Sequence, residues 1–320
     1  MTRIALISNP RSQRNKTIMP AMRVAAARHA DLVHVELDDV QATAKVLRDL
    51  ARRGVELIVV SAGDGTVQKI LTELLNGSEF ETLPKVAVLP GGMTNLIAAD
   101  VGLRGDPARS LDRLCRAAMD GRGGSETVVR PVLSMQRIPA EPPTHGMFLG
   151  AAAFYHGIMA ARDEVHPLGV KHHLAAAMAL TLALFRLLTG RCGPNMLLHG
   201  ERMTVELNGA ASRPSDYLLF MATTLQRLML GVMPFWGDGD GSLRYTSVGF
   251  PPQKLWRALV PAIRGRPKPW MGARGYLSGR TRECRLVLDS PIVFDGEIFR
   301  PEPGVPVVLR ADRHVTFLRC

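Results

Sequence analysis

One short segment, Gly63-Asp64-Gly65-Thr66, combines residue types that bind phosphate where a helix begins. Its two glycines allow backbone N–H groups to approach a ligand closely, and the positive end of a helix favours an anion there. A bare carboxylate would repel phosphate, so Asp64 suits this place if it holds a divalent cation or handles a proton. The segment predicts a phosphate-binding turn. The structural alternative is that Asp64 or Thr66 merely caps the next helix.

Two further loops have related chemistry. The loop Ser8–Lys16 carries three cations together with amide and hydroxyl side chains, which suit phosphate oxygens. A solvated loop in a basic protein explains that composition equally well. In the loop Pro90–Asn95, glycines permit close backbone approach, while hydroxyl and amide groups can contact a nucleotide or cap a helix. The candidate ligand-binding residues of these two loops are Asn9, Arg14, Gly91, Gly92, Thr94 and Asn95.

The elements around the three loops predict how the loops are positioned. Strands are expected at Ile4–Ser8, Leu32–Leu37, Glu56–Ser61 and Lys85–Leu89, and helices at Met19–His29, Ala42–Arg53, Val67–Leu75 and from near Leu96. Strands that alternate with helices in this way indicate a parallel sheet covered by helices on both faces. Ligands bind at the carboxyl ends of such strands, where all three loops fall.

The pattern changes at about Val128 to short strands separated by Gly- and Pro-rich turns. Strands are expected at Glu201–Leu207, Tyr217–Thr223, Ser242–Val248, Arg285–Leu288 and Pro291–Phe294, and loops at Pro139–Thr144 and Arg264–Gly279. This pattern predicts an antiparallel β-sandwich.

Two carboxylates flank a glycine in Asp295-Gly296-Glu297, between apolar strand residues. An Asp-Gly pair is also an ordinary hairpin turn, so a purely structural role is the alternative. If both carboxylates face the phosphate loops, one can deprotonate an attacking hydroxyl while the other orients it or binds metal.

The composition is that of a folded protein with an anionic partner. The 320 residues are 46% hydrophobic and 22% charged, which excludes wholesale disorder and a disulfide scaffold, and the net charge is +11. The four cysteines form no CxxC pair, which favours a reducing cytosol, and no signal peptide is evident. The apolar stretch Leu174–Phe185 is too short to span a membrane. We expect a buried core helix there, with a helix lying on a lipid interface as the alternative.

Taken together, these motifs resemble the diacylglycerol kinase catalytic family, which includes bacterial lipid kinases and sphingosine and ceramide kinases and, more distantly, NAD kinases. The resemblance rests on the following segments: Asn9-Pro10, Gly63-Asp64-Gly65-Thr66, Leu89-Pro90-Gly91-Gly92 with Asn95, and Asp295-Gly296-Glu297. A weaker match, Asp240-Gly241-Ser242-Leu243, is similar to a step where bacterial members hold a structural magnesium. Ala62, Met93 and Gln13 depart from the family pattern.

The resemblance implies a Rossmann-like α/β nucleotide-binding domain of residues 1–128, to which residues 304–320 return, and a lipid-binding β-sandwich of residues 129–303. It implies an ATP- and Mg²⁺-dependent lipid kinase in which Glu297, supported by Asp295, accepts the proton of the lipid hydroxyl. Asp64 would lie near Mg²⁺, and Asp240 is a second candidate metal ligand. The triphosphate would be held by Asn9, Arg14, Gly63, Asp64, Gly65, Thr66, Gly91, Gly92, Thr94 and Asn95.

Several readings stay open at this point. Diacylglycerol is the default acceptor and ceramide or a sphingoid base the runner-up. A soluble NAD kinase-like enzyme and a non-catalytic nucleotide or membrane sensor are the alternative functions. Nucleic-acid binding has no motif behind it. Residues 251–320 hold 13 Lys and Arg against 6 Asp and Glu, which suggests a peripheral patch for anionic lipid or simply a solvated loop. We therefore expect a cytoplasmic protein at the inner face of the membrane and leave a homodimer open.

Overall fold

The computed structural model describes residues 2–119, 126–157, 159, 199–211, 213–228 and 232–319. The chain divides into two compact units. The first unit comprises Met1–Val132, Thr144–Gly146 and Arg313–Cys320, and the second comprises Leu133–Pro143 and Met147–Asp312. The apolar stretch Leu174–Phe185 lies outside the described residues. In the part of the chain that is described, no helix is long and apolar enough to cross a membrane.

The first unit is built on a parallel sheet. Its strands are β1 (Ile4–Ser8), β2 (Val33–Glu36), β3 (Leu57–Ala62), β4 (Lys85–Pro90) and the C-terminal part of β16 (Val307–Arg319). The strand order is β2-β1-β3-β4-β16, with Phe317 of β16 beside Val86 of β4. Every residue of β1 and β3 is buried. This is the burial expected of parallel strands that are covered on both faces.

Five helices accompany this sheet: α1 (Asn15–Ala27), α2 (Thr43–Arg52), α3 (Asp64–Asn76), α4 (Leu96–Val101) and α5 (Pro107–Met119). α1 and α5 pack through Met22 and Leu111 onto one face of the sheet, which presents Leu6 and Val59. The alternate strand residues, such as Ile58, are equally buried. Apolar residues thus fill both faces, and the α/β fold expected from the sequence is confirmed for this unit.

The second unit consists mainly of antiparallel strands. They are β5 (Glu126–Gln136, which continues from the first unit), β7 (Phe148–Ala152), β8 (Glu201–Leu207), β9 (Ala210–Ala211), β10 (Ser215–Thr223), β11 (Leu243–Gly249), β12 (Tyr276–Thr281), β13 (Glu283–Leu288), β14 (Ile292–Phe294), β15 (Glu297–Phe299) and the start of β16; the short β6 (Thr144–Gly146) belongs to the first unit. Helix α6 spans Leu255–Ile263.

The core of the second unit lies where two groups of paired strands meet. Phe220 of β10 and Phe294 of β14 come from the group β7, β10, β11 and β14, and Leu286 of β13 and Leu309 of β16 come from the group β8, β13 and β16. All four side chains are fully buried in one cluster. Two strand groups that bury facing side chains form the β-sandwich that the sequence predicted.

Three sequence predictions need correction. α3 begins at Asp64 instead of Val67, because Gly63 is its N-cap and its carbonyl already accepts the N–H groups of Thr66 and Val67. The expected loop Arg264–Gly279 ends in a strand, because β12 pairs with β11. The segment returning to the first unit starts at Arg313 instead of residue 304, because the first residues of β16 pair with β13.

Candidate functional site

The three candidate loops leave the sheet of the first unit at the same edge. β1, β3 and β4 are adjacent and parallel, with Ser8 opposite Ser61 and Ala62 opposite Pro90. The carboxyl ends of these strands therefore coincide. The sequence-based expectation that the three loops meet at this edge follows from the register of the strands.

Two asparagine side chains tie the first loop to the second. Asn9 Nδ2 donates a hydrogen bond of 2.9 Å to Thr66 Oγ1. Asn15 Nδ2 donates to the carbonyls of Asn9 and Ser61 at 2.8 and 2.6 Å, and Asn15 Oδ1 accepts from Ser61 Oγ. Asn9 and Asn15 are both buried. Their side-chain amides hold the loops together. The sequence analysis did not single out Asn15 as a candidate, because it stands in a polar run at the start of α1.

The second and third loops approach each other through glycines. A Cβ built on Gly92 would lie 2.5 Å from Gly63 Cα, and a Cβ on Gly91 would lie 2.7 Å from the backbone nitrogen of Ala62. Only residues without a Cβ allow the two backbones to come this close. Glycines at such a contact also leave the loop backbone open to a phosphate.

Asp64 connects the second loop to the third instead of standing free. Its Oδ2 accepts hydrogen bonds from Leu96 N at 2.9 Å and Thr94 Oγ1 at 3.0 Å, and its Oδ1 accepts one from Ile97 N at 3.0 Å. Burial raises the pKa of the Asp64 carboxyl, and these three hydrogen bonds oppose the rise. Asp64 thus caps α4, the helix that follows the third loop. The capping alternative of the sequence analysis named the next helix, α3, instead.

Asn95 shapes the third loop from within. Its backbone is left-handed, with φ of 51°, and its Oδ1 accepts a hydrogen bond of 2.7 Å from Gly92 N while its Nδ2 donates to Gly92 O. The side chain therefore closes a tight turn. Met93 and Thr94 lie on the exposed side of that turn, and Met93 is 39% exposed.

The backbone at the start of α3 presents N–H groups toward the loops. Thr66 and Val67 donate to Gly63 O, so the N–H groups of Asp64 and Gly65 precede the first helical hydrogen bond. A 13-residue helix adds partial positive charge at this end. Arg14 is half-buried, with its N–H bonded to Gly91 O, while Arg11 and Lys16 are exposed. These groups can bind an anion.

Asp295 and Gly296 form a two-residue hairpin turn in the second unit. Their φ angles are 47° and 88°, and Phe294 pairs with Glu297 across the turn. The carboxylate of Asp295 is buried and accepts hydrogen bonds from the backbone N–H groups of Met147 and Phe148 at 2.8 and 2.9 Å. The structural alternative considered for this segment is therefore correct for its backbone. Glu297, which follows the turn, has an exposed side chain.

Asp240 does not lie in a cluster of metal ligands. Its carboxylate forms an exposed ion pair with Arg282. Among the described residues, no three His, Cys, Asp or Glu side chains come together in a way that could hold a metal ion. Gly239 and Gly241, on either side of Asp240, have positive φ angles, and a Cβ on either would lie 2.2–2.3 Å from a carbonyl oxygen of β12. The segment is thus shaped by its backbone packing.

Comparison with known proteins shows what the chain is similar to. Residues 3–121 match the model of the diacylglycerol kinase catalytic domain. No curated protein matches the chain by sequence. Three solved structures from Bacillus anthracis str. Sterne, described as diacylglycerol kinases, have the same fold. The chain shares 15%, 16% and 17% identity with them at TM-scores of 0.60, 0.65 and 0.64, and the alignments cover 98–99% of this chain and 96–97% of those.

The matched residues include β1, β3 and β4 and the three loops that follow them. The loop contacts described above thus lie within the region that matches a diacylglycerol kinase catalytic domain. By these comparisons, residues 3–121 are similar to the diacylglycerol kinase catalytic domain, and the likeness of fold to the three solved structures extends over nearly the whole chain.

Proposed function

We propose that the protein transfers the γ-phosphoryl group of ATP to a hydroxyl group of a membrane lipid. The observation that carries the proposal is the contact between Gly63 and Gly92, where a Cβ on Gly92 would lie 2.5 Å from the opposite Cα. This cradle of closely packed loop backbone lies within residues 3–121, which match the diacylglycerol kinase catalytic domain. Phosphoryl transfer depends on positioning and charge neutralisation, which a rigid cradle of backbone N–H groups supplies.

The residues of the cradle fit a triphosphate with its metal. The N–H groups of Asp64 and Gly65 and the cation of Arg14 would bind phosphate oxygens, while Asn9 and Asn95 keep the loops in place. The carboxylate of Asp64 accepts three hydrogen bonds and keeps acceptor capacity for a cation. Mg²⁺ bound there would neutralise phosphate charge. We propose no metal at Asp240, whose carboxylate is paired with Arg282.

We propose Glu297 as the group that accepts the proton of the lipid hydroxyl, because its carboxylate is exposed at the end of a fixed turn. Asp295 is a positioning residue in this proposal. Its hydrogen bonds to Met147 and Phe148 hold the turn that presents Glu297. A general base must be held within reach of its proton, and this turn provides that rigidity.

The proposed acceptor is diacylglycerol, with ceramide or a sphingoid base as the second choice. Such lipids reside in a bilayer, so we also propose that the protein works from the cytoplasm at the inner face of the membrane.

The test is phosphorylation of lipids in mixed micelles with radiolabelled ATP, using a panel of diacylglycerol, ceramide and sphingosine. Glu297→Gln should lower the turnover number at least a hundredfold with unchanged ATP affinity, within the range for removal of a general base. The matched control is Glu302→Gln, an exposed carboxylate in the following loop, which should behave as the original protein. Phosphorylation of NAD⁺ in place of every lipid would refute the proposal, and so would tight ATP binding with no turnover.

A further inference from the structure

The second unit contains a long stretch without negative charge. Residues 241–282 include nine Lys and Arg residues and no Asp or Glu. The stretch contains β11, α6 and β12, so its cations belong to folded elements and the short loops between them. Such a concentration of one sign attracts an anionic partner.

One side of α6 is packed against the sheet of this unit. Leu255, Ala258 and Ala262 stand at helical spacing and join a cluster with Val248 of β11 and Tyr276 of β12. Tyr276 also donates a hydrogen bond of 2.8 Å to the carbonyl of Gln253, just before the helix. These contacts fix the orientation of α6.

The opposite side of α6 exposes large apolar residues next to cations. Trp256 and Val260, one helical turn apart, are 45% and 54% exposed. Arg257 on the adjoining side of the helix and Arg264, the C-cap residue that follows its last turn, are exposed as well. Trp256 and Val260 together form an apolar patch rimmed by cations, and patches of this kind mark interaction surfaces.

The loop after α6 adds further cations around an anchored aromatic residue. Lys254 Nζ lies 5.8 Å from the centre of the Trp270 ring, and Trp270 packs edge-on against Tyr276 at 6.1 Å. Arg266 and Lys268 between them are exposed. The loop is thus held by its aromatic contacts while its charges face solvent.

We propose that the outer side of α6, with Trp256 and Val260 as apolar anchors and Arg257 and Arg264 as cations, docks the protein onto an anionic lipid bilayer. Charge complementarity selects this occupant, because a helix with apolar residues beside Arg enters the headgroup region of such a bilayer. A nucleic acid would use the cations and leave Trp256 and Val260 unused on a helix face. The inference rests on the proposed lipid kinase function and names the surface that brings the enzyme to its substrate.

The test is partitioning of the full chain into vesicles of phosphatidylcholine alone and of phosphatidylcholine with 30% phosphatidylglycerol. Each cation near such a surface contributes about 1 kcal/mol, about fivefold in affinity, so Arg257→Gln with Arg264→Gln should weaken binding to the anionic vesicles about 25-fold. The matched control is Lys45→Gln with Arg116→Gln, two exposed cations of the first unit, which should change binding less than twofold. Raising the salt to 0.5 M should abolish the difference in anionic-vesicle binding between Arg257→Gln/Arg264→Gln and the original protein, since exposed charges are screened.

Tryptophan fluorescence tests the apolar half of the surface. Anionic vesicles should shift the emission to the blue, and Trp256→Phe should remove most of that shift while keeping the binding within about threefold. Equal binding to neutral and anionic vesicles, or a double Arg variant that binds like its control, would overturn the surface. Loss of DNA binding without loss of vesicle binding in that variant would overturn it in favour of nucleic acid.

Kinase activity on short-chain dioctanoylglycerol in neutral detergent micelles separates this inference from the proposed function. That assay does not need bilayer docking. We expect both double variants to keep their kinase activity in this assay. Only Arg257→Gln/Arg264→Gln should show weakened binding to anionic vesicles. Absence of lipid phosphorylation in the original protein refutes the function, whereas undiminished vesicle binding in the α6 variant refutes only the surface.

Discussion

Gly92→Ala should disrupt the contact between the second and third loops. The new Cβ would lie 2.5 Å from Gly63 Cα, whereas carbon atoms in contact are separated by about 3.5–4.0 Å. The two backbones must therefore move apart by about 1 Å. Overpacking of this kind costs about 1–3 kcal/mol. If half of that falls on the nucleotide-bound state, ATP affinity drops by about twofold to twelvefold.

Two other glycines provide a graded comparison. A Cβ on Gly63 would lie 3.4 Å from Gly92 Cα, which is an ordinary contact, and a Cβ on Gly272 in the second unit would meet no atom within 4 Å. We expect ATP affinity to follow the order Gly272→Ala, Gly63→Ala, Gly92→Ala, from unchanged to weakest. Calorimetric titration with ATP and urea unfolding of each variant measure the two effects. Gly92→Ala with the original affinity and the original unfolding midpoint would refute the close approach itself.

Three further results are expected. Thr94→Val removes one of the three hydrogen bonds to Asp64 and should lower the free energy of unfolding by about 1 kcal/mol in urea titrations; an unchanged value would mean that this bond contributes nothing. Burial lowers the pKa of His34 below 6.5, so the contribution of His34 to the free energy of unfolding is present above pH 6.5 and is lost as the pH falls through the pKa of the folded state. His34→Gln should therefore flatten the pH dependence of the free energy of unfolding in urea between pH 7.5 and 5, and the same pH dependence in both proteins would contradict this. Burial, with the nearby charge of Asp112, raises the pKa of the Cys115 thiol to about 11, so Cys115→Ser should leave the native thiol count with Ellman's reagent unchanged and lower the denatured count by one.

The parallel sheet could be predicted from the sequence because its strands are short, apolar and separated by helices. β1 matches the expected range Ile4–Ser8 without change, and β4 differs from its prediction only by the addition of Pro90. Element ends were less predictable. The start of α3 depends on the Gly63 carbonyl, which accepts hydrogen bonds from Thr66 and Val67 only once the chain has folded into the turn.

The candidate site was predictable in its location and less so in its contacts. Glycine spacing indicated where backbones approach each other. The backbone N–H groups that bind the Asp64 carboxylate, however, belong to Leu96 and Ile97, 32 and 33 positions away. Asn15 was missed because nothing distinguishes it within its polar run, and its partner Ser61, 46 positions away, meets it only in the folded sheet. Local patterns reveal which residues can do chemistry. Long-range hydrogen bonds decide which of these side chains serve to hold the fold together.

The place of β16 in the first unit bears on how the protein folds as it is synthesised. Phe317 pairs beside Val86 on β4, so the neighbour of this strand is made 231 residues after it. Until then, the N–H and C=O groups along that side of β4 have no strand to pair with, and an open strand edge invites pairing with another chain. Such distant pairing is also slow to form. The nascent first unit is therefore most prone to aggregation during the interval in which the second unit is being translated.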